Sequence, residues 1–201
     1  MKKLVIASNN KNKIKEIKEI LGRLNIHVIS LNEAGIDIDV EETGESFIEN
    51  SYIKAKAIFN LVKDKGYMVL ADDSGLSVEA LGGAPGIYSA RFAGEHGNDK
   101  KNNEKLLREM KNMENRKGKF ICAMSLIIDE NNSIKVQGEI EGIILEEERG
   151  KNGFGYDPLF YYPQYEVSFG EMNGELKNNI SHRREALNML EREIKDYFQE
   201  E

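Results

Sequence analysis

Four apolar residues, Met68, Val69, Leu70 and Ala71, run directly into two adjacent aspartates, Asp72 and Asp73, followed by Ser74 and Gly75. A short apolar run reads as a buried strand, and Gly75 allows a sharp exit from it. Two carboxylates at the end of such a strand are costly unless positive charge lies close by. Neighbouring side chains on a strand face opposite sides, so without a kink Asp72 and Asp73 cannot both enter one site. One is expected to be the working carboxylate and the other a structural partner. The chain then continues through a Gly-Gly-Ala-Pro-Gly loop, and Arg91 reads as a surface or interface residue.

The rest must be foldable around that strand. A chain of 201 residues, 40% hydrophobic and 31% charged, can bury one good core, so a single domain over residues 1–201, with two lobes around a cleft, is expected. A net charge of -7 argues against broad binding to a nucleic-acid backbone, although a local basic pocket can still hold phosphate. The single cysteine, Cys122, lies in the apolar run Phe-Ile-Cys-Ala-Met-Ser-Leu-Ile-Ile and reads as a buried structural thiol. With no signal-peptide pattern and no apolar stretch long enough to span a bilayer, no membrane association is expected and the cytoplasm is the expected compartment.

Ahead of the central strand, Leu4 to Ala7 predict a strand ending at Ser8, Asn9 and Asn10, and a helix follows from about Lys11 to Leu24 with Ile14, Ile17, Leu21 and Leu24 on one face. A strand–turn–helix junction directs N–H groups and a positive helix end at one spot, which suits an anion, and Lys11 and Lys13 add charge. An Asn-capped helix with solvated lysines explains the same residues equally well. A short strand is expected at His27 to Ser30, then an irregular acidic segment. A helix from about Phe47 to Val62 follows, with Ser46 and Glu49 as a capping box and Phe47, Ile58, Leu61 and Val62 as its apolar stripe. Asn50 and Lys54 are four apart and share a face of it. Glu41 and Glu42 precede this helix and offer hard metal-ligand oxygens.

Beyond the central strand, a helix is predicted from about Lys100 to Met113, with Leu106, Leu107, Met110 and Met113 buried. Strands over Lys119–Asp129 and Lys135–Leu145 pair as a hairpin, with Gly138 and Gly142 marking bulges or close approach of another element. In Gly150 to Pro163, Gly153 and Gly155 bracket Phe154, an arrangement that exposes a ring face to a planar base, whereas Tyr161 and Tyr162 read as core plugs. Lys177, Ser181, His182 and Arg183 gather near the start of the last helix. Basic charge there opposes the helix dipole, and an anionic ligand or an acidic partner would relieve it. No P-loop, zinc pattern or nucleophile elbow is present.

Together these pieces describe a nucleotide site: carboxylates for a divalent cation, lysines for phosphates and an aromatic loop for a base. The chain resembles the inosine/xanthosine triphosphate pyrophosphatase family, the non-standard purine nucleoside triphosphate pyrophosphatases. Five motifs in order carry the resemblance: Ser-Asn-Asn-Lys-Asn-Lys at 8–13, Glu-Glu-Thr-Gly-Glu-Ser-Phe-Ile-Glu-Asn from 41, Ala-Asp-Asp-Ser-Gly-Leu with the Gly-Gly-Ala-Pro-Gly loop and Arg91, Gly-Phe-Gly-Tyr-Asp-Pro-Leu-Phe from 153, and Ile-Ser-His-Arg at 180–183.

The resemblance implies an α/β fold with a long, twisted mixed sheet flanked by helices, two lobes around a central nucleotide cleft, and a homodimer. It also implies Mg2+-dependent hydrolysis of ITP, XTP and dITP to the monophosphate and pyrophosphate. By position, Ser8, Asn10 and Lys13 would hold phosphates, within a segment that takes in Asn9, Lys11 and Asn12, with Lys54 assisting. Glu41 and Asp73 would bind the metal, and Asp73 is also the implied general base, two demands that compete for one carboxylate; that makes Asp73 the working acid of the pair and leaves Asp72 to face away and fix the turn. Ser74 would touch substrate. Phe154 would stack on the purine, with Gly155, Tyr156 and Asp157 completing that wall. Lys177, His182 and Arg183 would border the base, although His182 fits a packing role as well. A non-catalytic purine-nucleotide-binding regulator and a structural interaction protein are the competing classes.

Overall fold

The computed structural model describes residues 3–21 and 26–199. A mixed seven-stranded sheet carries the fold, in the order β2-β1-β3-β4-β5-β6-β7. Its strands are β1 (Lys3–Ile6), β2 (His27–Ser30), β3 (Met68–Val78), β4 (Lys117–Ile127), β5 (Ser133–Ile144), β6 (Phe160–Tyr162) and β7 (Val167–Ser168). β1 pairs in parallel with β2 and β3, and β6 pairs antiparallel with β5 and β7. Among the described residues, five α-helices flank it: α1 (Lys11–Leu21), α2 (Phe47–Val62), α3 (Asp99–Glu109), α4 (Gly174–Ile180) and α5 (His182–Gln199). The α/β architecture with a mixed sheet is the one expected.

The chain divides into two compact units. The first comprises Met1–Asp73, Cys122–Gly138 and Arg183–Glu201, the second Ser74–Ile121 and Glu139–His182.

In the first unit the period-two pattern of the strands sorts the core onto two faces. Leu4, Ile6, Met68 and Leu70 join Ile17 and Leu21 of α1 and Ala186, Leu187 and Leu190 of α5. The alternate residues Val5, Ala7, Val69 and Ala71 join Ala55, Ile58, Phe59 and Val62 of α2. Strands buried on both faces need no polar side, which is why β1 after Lys3 and β3 up to Asp72 are continuously apolar. Cys122 is fully buried in the first of these clusters.

The second unit has its own core, in which Leu76, Val78, Leu106, Met110 and Phe120 pack with Tyr156, Phe160, Phe169 and Met172. Gly142 sits against Phe160, where a Cβ would meet the ring at 2.5 Å and the Tyr161 carbonyl oxygen at 2.6 Å. The close approach expected at this glycine is present.

Several boundaries differ from expectation. β3 does not stop at Asp72 and Asp73 but runs on through both, and through buried Gly75, to Val78. Leu76 and Val78 resume burial beyond the acids, so the acids interrupt the apolar pattern without ending the strand. Of the α2 stripe, Leu61 is 55% exposed, and the buried face runs instead through Asn50, Ser51, Ala55, Ile58, Phe59 and Val62. α3 ends at Glu109, which leaves Met113 outside the helix and 40% exposed. Tyr162 is buried as expected, whereas Tyr161 is only half-buried. The end expected for the first helix, including Leu24, lies outside the described residues.

Candidate active site

Because β3 continues through the acids, its alternation decides where each one goes. Asp73 shares the Val69 and Ala71 face and meets α2; Asp72 shares the Leu70 face and meets α1 and α5.

Asp73 is 5% exposed. The Asn50 amide donates to its Oδ2 at 3.1 Å, and Lys54 Nζ lies 4.0 Å from its Oδ1. One helical turn separates Asn50 from Lys54, so α2 offers an amide and a cation to one carboxylate. Ser46 caps α2 by accepting from the Glu49 N–H, and Gly44 N–H donates to Asn50 Oδ1 at 2.8 Å. Lys54 also donates to Glu42 at 2.8 Å and to the Asp72 carbonyl oxygen at 2.6 Å. Burial holds the Asp73 carboxyl above its ordinary range, since it outweighs the opposing pull of Lys54 and Lys13 while Glu42 adds repulsion. For Lys54 the balance is reversed. Burial disfavours its charge, but Asp73, Asp72 and Glu42 together hold the ammonium above its usual pKa.

Asp72 is 1% exposed and forms an ion pair with Lys13 of α1 at 3.0 Å, with Arg183 of α5 at 3.7 Å. Arg183 also pairs with Glu16, one turn along α1 from Lys13. Burial alone would raise the Asp72 carboxyl, but Lys13, Arg183 and Lys54 hold it well below the usual carboxylate range. The expectation that Asp72 faces away is met in direction, but there is no turn for it to fix. It anchors two cations instead.

At the start of α1 the Asn10 side chain accepts from the N–H groups of Asn12 and Lys13, and Ser8 Oγ accepts from the Asn10 N–H. The helix is therefore Asn-capped, with Asn9, Asn10, Lys11 and Asn12 exposed and Lys13 drawn inward by Asp72. Asn9 donates to the Ile38 carbonyl oxygen at 3.1 Å. Glu41 is exposed, and its neighbour Glu42 is the acid that reaches Lys54.

In the second unit, half-buried Phe154 lies on a loop tied from several sides. Its N–H donates to Asp157 Oδ2 at 2.8 Å, the same oxygen that takes Lys177 Nζ at 2.6 Å. Lys177 Nζ in turn stands 4.7 Å from the Phe154 ring centroid, a cation–π distance. Gly153 allows this turn: its φ of 76° suits glycine, and a Cβ there would collide with Asp157 Oδ2. Tyr156 is buried with its hydroxyl donating to the Ser89 carbonyl oxygen at 2.8 Å, and burial together with Asp99 pushes the phenol up. Tyr156 and Asp157 thus hold the loop from beneath. His182 is buried and stacked on Phe120, ring centroids 4.8 Å apart. Ser74 is half-buried.

The basic group read as one cluster at the last helix is divided. Lys177 answers Asp157 in the second unit, and Arg183 answers Asp72 and Glu16 in the first. Lys177 lies in the last turn of α4, where the dipole favours a cation; Arg183, in the first turn of α5, is the one opposed by the dipole and is answered by Asp72 and Glu16.

A model of the Ham1 family matches residues 4–193. The chain belongs to the Ham1 family. The Ham1 chain is 58% identical over 200 residues to a protein of Clostridium tetani named dITP/XTP pyrophosphatase, covering 100% of each. A protein of the same name in Clostridium perfringens is 55% identical, with 97% of this chain and 98% of that one covered. Among solved structures, the Ham1 protein of Staphylococcus aureus superposes with a TM-score of 0.87 at 42% identity, covering 98% of this chain and 100% of that one.

Three features of this Ham1 chain escaped sequence reasoning: Glu42 on Lys54, the Asp72–Arg183–Glu16 network, and the buried Ser51–Ser125 hydroxyl pair at 2.8 Å. The first two had a signal. Buried acids need cations, and Lys13 and Arg183 stand out in the sequence as cations.

Proposed function

We propose that this chain hydrolyses non-standard purine nucleoside triphosphates, dITP, ITP and XTP, to the monophosphate and pyrophosphate, with Mg2+ as cofactor. The names of its full-length relatives support the substrate class. The observation that carries the chemistry is Asp73, a nearly buried carboxylate held by Asn50 and flanked by Lys54. A triphosphate site must gather positive charge around phosphate oxygens and keep one base for water. Lys13 and Lys54 bring the charge, and Ser8, Asn9, Asn10, Lys11 and Asn12 line the start of α1, whose first turn contains no acid.

The donor chemistry fits a hard cation. Asp73, with Glu41 as the resemblance implies and Glu42 beside Lys54, offers carboxylate oxygens. Among the described residues no group of three or more His, Cys, Asp or Glu is gathered, and Mg2+ commonly keeps several waters and binds through one or two carboxylates plus substrate phosphates, so Asp73 with Glu41 or Glu42 would be enough to hold it. When bound, Mg2+ neutralises phosphate charge. Asp73 is assigned the metal contact first and proton acceptance from the attacking water second, with the α-phosphorus as the point of attack. Asn50 fixes the orientation of its carboxylate, and Lys54 balances its charge.

The base is assigned to the second unit's residues, Phe154 stacking on the purine with Gly155, Tyr156 and Asp157 behind it. Lys177, His182 and Arg183 border the base, as the resemblance implies. Ser74 touches substrate. Donors directed at a 6-keto oxygen would meet an amino group in ATP, a mismatch that costs about 10⁴-fold or more in specificity. Residues 1–201 act as one pyrophosphatase domain in a cytoplasmic homodimer without nucleic-acid or membrane partners; no helix among the described residues is long and apolar enough to cross a membrane. The test is incubation with dITP or XTP and Mg2+, with products identified. Monophosphate and pyrophosphate are expected; orthophosphate, or no turnover, would refute the assignment.

A further inference from the structure

α3 entered the sequence reading only as a helix with a buried apolar face, yet two of its polar side chains reach the loop that carries Phe154. Asp99 Oδ2 accepts from the Gly155 N–H at 2.7 Å, and Asn103 Nδ2 donates to the Gly155 carbonyl oxygen at 3.1 Å. Asp99 and Asn103 are one turn apart, so a single face of α3 grips both polar groups of one peptide residue. Asn103 is 4% exposed and also donates to Glu148 at 3.0 Å. Its neighbour Asn102, 2% exposed, accepts from the Ala93 N–H at 2.8 Å and donates to the Ala90 carbonyl oxygen at 3.3 Å, which ties α3 to the preceding segment as well.

These contacts are unusual in what they hold. Gly155 has a φ of 61°, a left-handed conformation in which glycine is unconstrained, so nothing intrinsic keeps it there. Phe154, just before it, is tied at its N–H by Asp157, and the two grips from α3 close the other side of the same turn. A loop clamped at successive residues presents its ring in one orientation and loses little entropy when a flat ligand stacks on it.

We propose that Asp99 and Asn103 are positioning residues for purine recognition, acting through Gly155 to hold the Phe154 ring; the assignment of a purine to that ring rests on the function proposed above. Neither touches the phosphate-handling groups of the first unit, so their loss weakens base binding and spares the chemical step.

The experiment pairs kinetics with a reporter. Asp99→Ala and Asn103→Ala are expected to raise KM for dITP about tenfold each, the scale of losing one hydrogen bond to a well-placed group, with kcat within about twofold. Asp99→Asn, which keeps an acceptor oxygen, is expected to restore most of the loss. The chain contains no tryptophan, so Phe154→Trp supplies a single fluorophore on the loop. Its anisotropy is expected to fall, and its acrylamide quenching to rise, when Asp99→Ala or Asn103→Ala is added. Unchanged anisotropy and quenching overturn the positioning role, whether or not dITP is hydrolysed. An equal fall of kcat and unchanged KM, in variants with wild-type melting temperatures, overturns it too. Absence of dITP turnover in the wild type instead sinks the proposed substrate, and the fluorescence still decides the clamp.

Discussion

Replacing Asp73 by asparagine removes a charge and a proton acceptor while keeping the shape that Asn50 and Lys54 pack against. If Asp73 serves the metal and the water, Asp73→Asn lowers kcat for dITP by about 10²–10⁴-fold, the range of a lost general base. Equilibrium binding of dITP without Mg2+ stays within a few fold, because Lys13 and the start of α1 remain; stopped turnover with retained binding, read by isothermal titration, is the expected pair of results. Asp72→Asn is a different experiment. It leaves Lys13 and Arg183 buried with their shared carboxylate gone, and a broken buried ion pair costs about 3–5 kcal/mol. Urea unfolding of Asp72→Asn against wild type measures that loss, and an unchanged midpoint would mean that the network contributes nothing to stability. The two aspartates were legible as a pair with divided labour, since strand alternation follows from any sequence. Their partners were not, because Lys13 and Arg183 are far from them in the chain and only the packing of α1 and α5 on one face of β3 brings them together.

Among the elements, the junction of α1 with β2 offers a pH test. Glu33, in the turn after β2, accepts from Lys18 of α1 and from the backbone N–H and hydroxyl of Ser30. Those bonds, led by the one from Lys18, pull its carboxyl from 4.5 down to about 2. A lowered folded-state pKa means that Glu33 adds stability above pH 4.5 and that this is lost as pH falls toward 2. Its side chain is 53% exposed, so solvent screening limits the effect to about 1 kcal/mol or less. The unfolding free energies of wild type and Glu33→Gln are expected to differ at pH 6 and to converge by about pH 2; a constant gap would exclude the linkage. At Gly142, β5 passes so close to Phe160 that an added methyl must displace the ring. Gly142→Ala is expected to cost about 1–3 kcal/mol, the usual price of overpacking, measured by thermal or denaturant unfolding. The longer helices and strands were legible from periodicity, α2 to the residue, whereas the short elements β6, β7 and α4 were not. The end of β3 was not, because two acids and a glycine mimic a strand terminus unless one knows that lysines, an arginine and an amide await those acids.

At the scale of the whole molecule, the chain passes between its two units at residues 73/74, 121/122, 138/139 and 182/183, so neither is a continuous segment. Periodicity could not reveal this interleaving, because β3, β4 and β5 each pass from one unit to the other within a single strand. The family was more legible than the architecture, since five short motifs in order carry the resemblance and the family model spans residues 4–193. Of the residues proposed for the chemistry, Asp73, Lys54 and Lys13 lie in the first unit, and Phe154, Asp157 and Lys177 in the second. The most direct measurement is a turnover panel of dITP, XTP, dATP and ATP with Mg2+, reading rates and products together. The account expects pyrophosphate and monophosphate from dITP and XTP, with kcat/KM about 10⁴-fold or more above that for the adenine nucleotides. Equal rates for ATP and dITP, or release of orthophosphate in place of pyrophosphate, would contradict it.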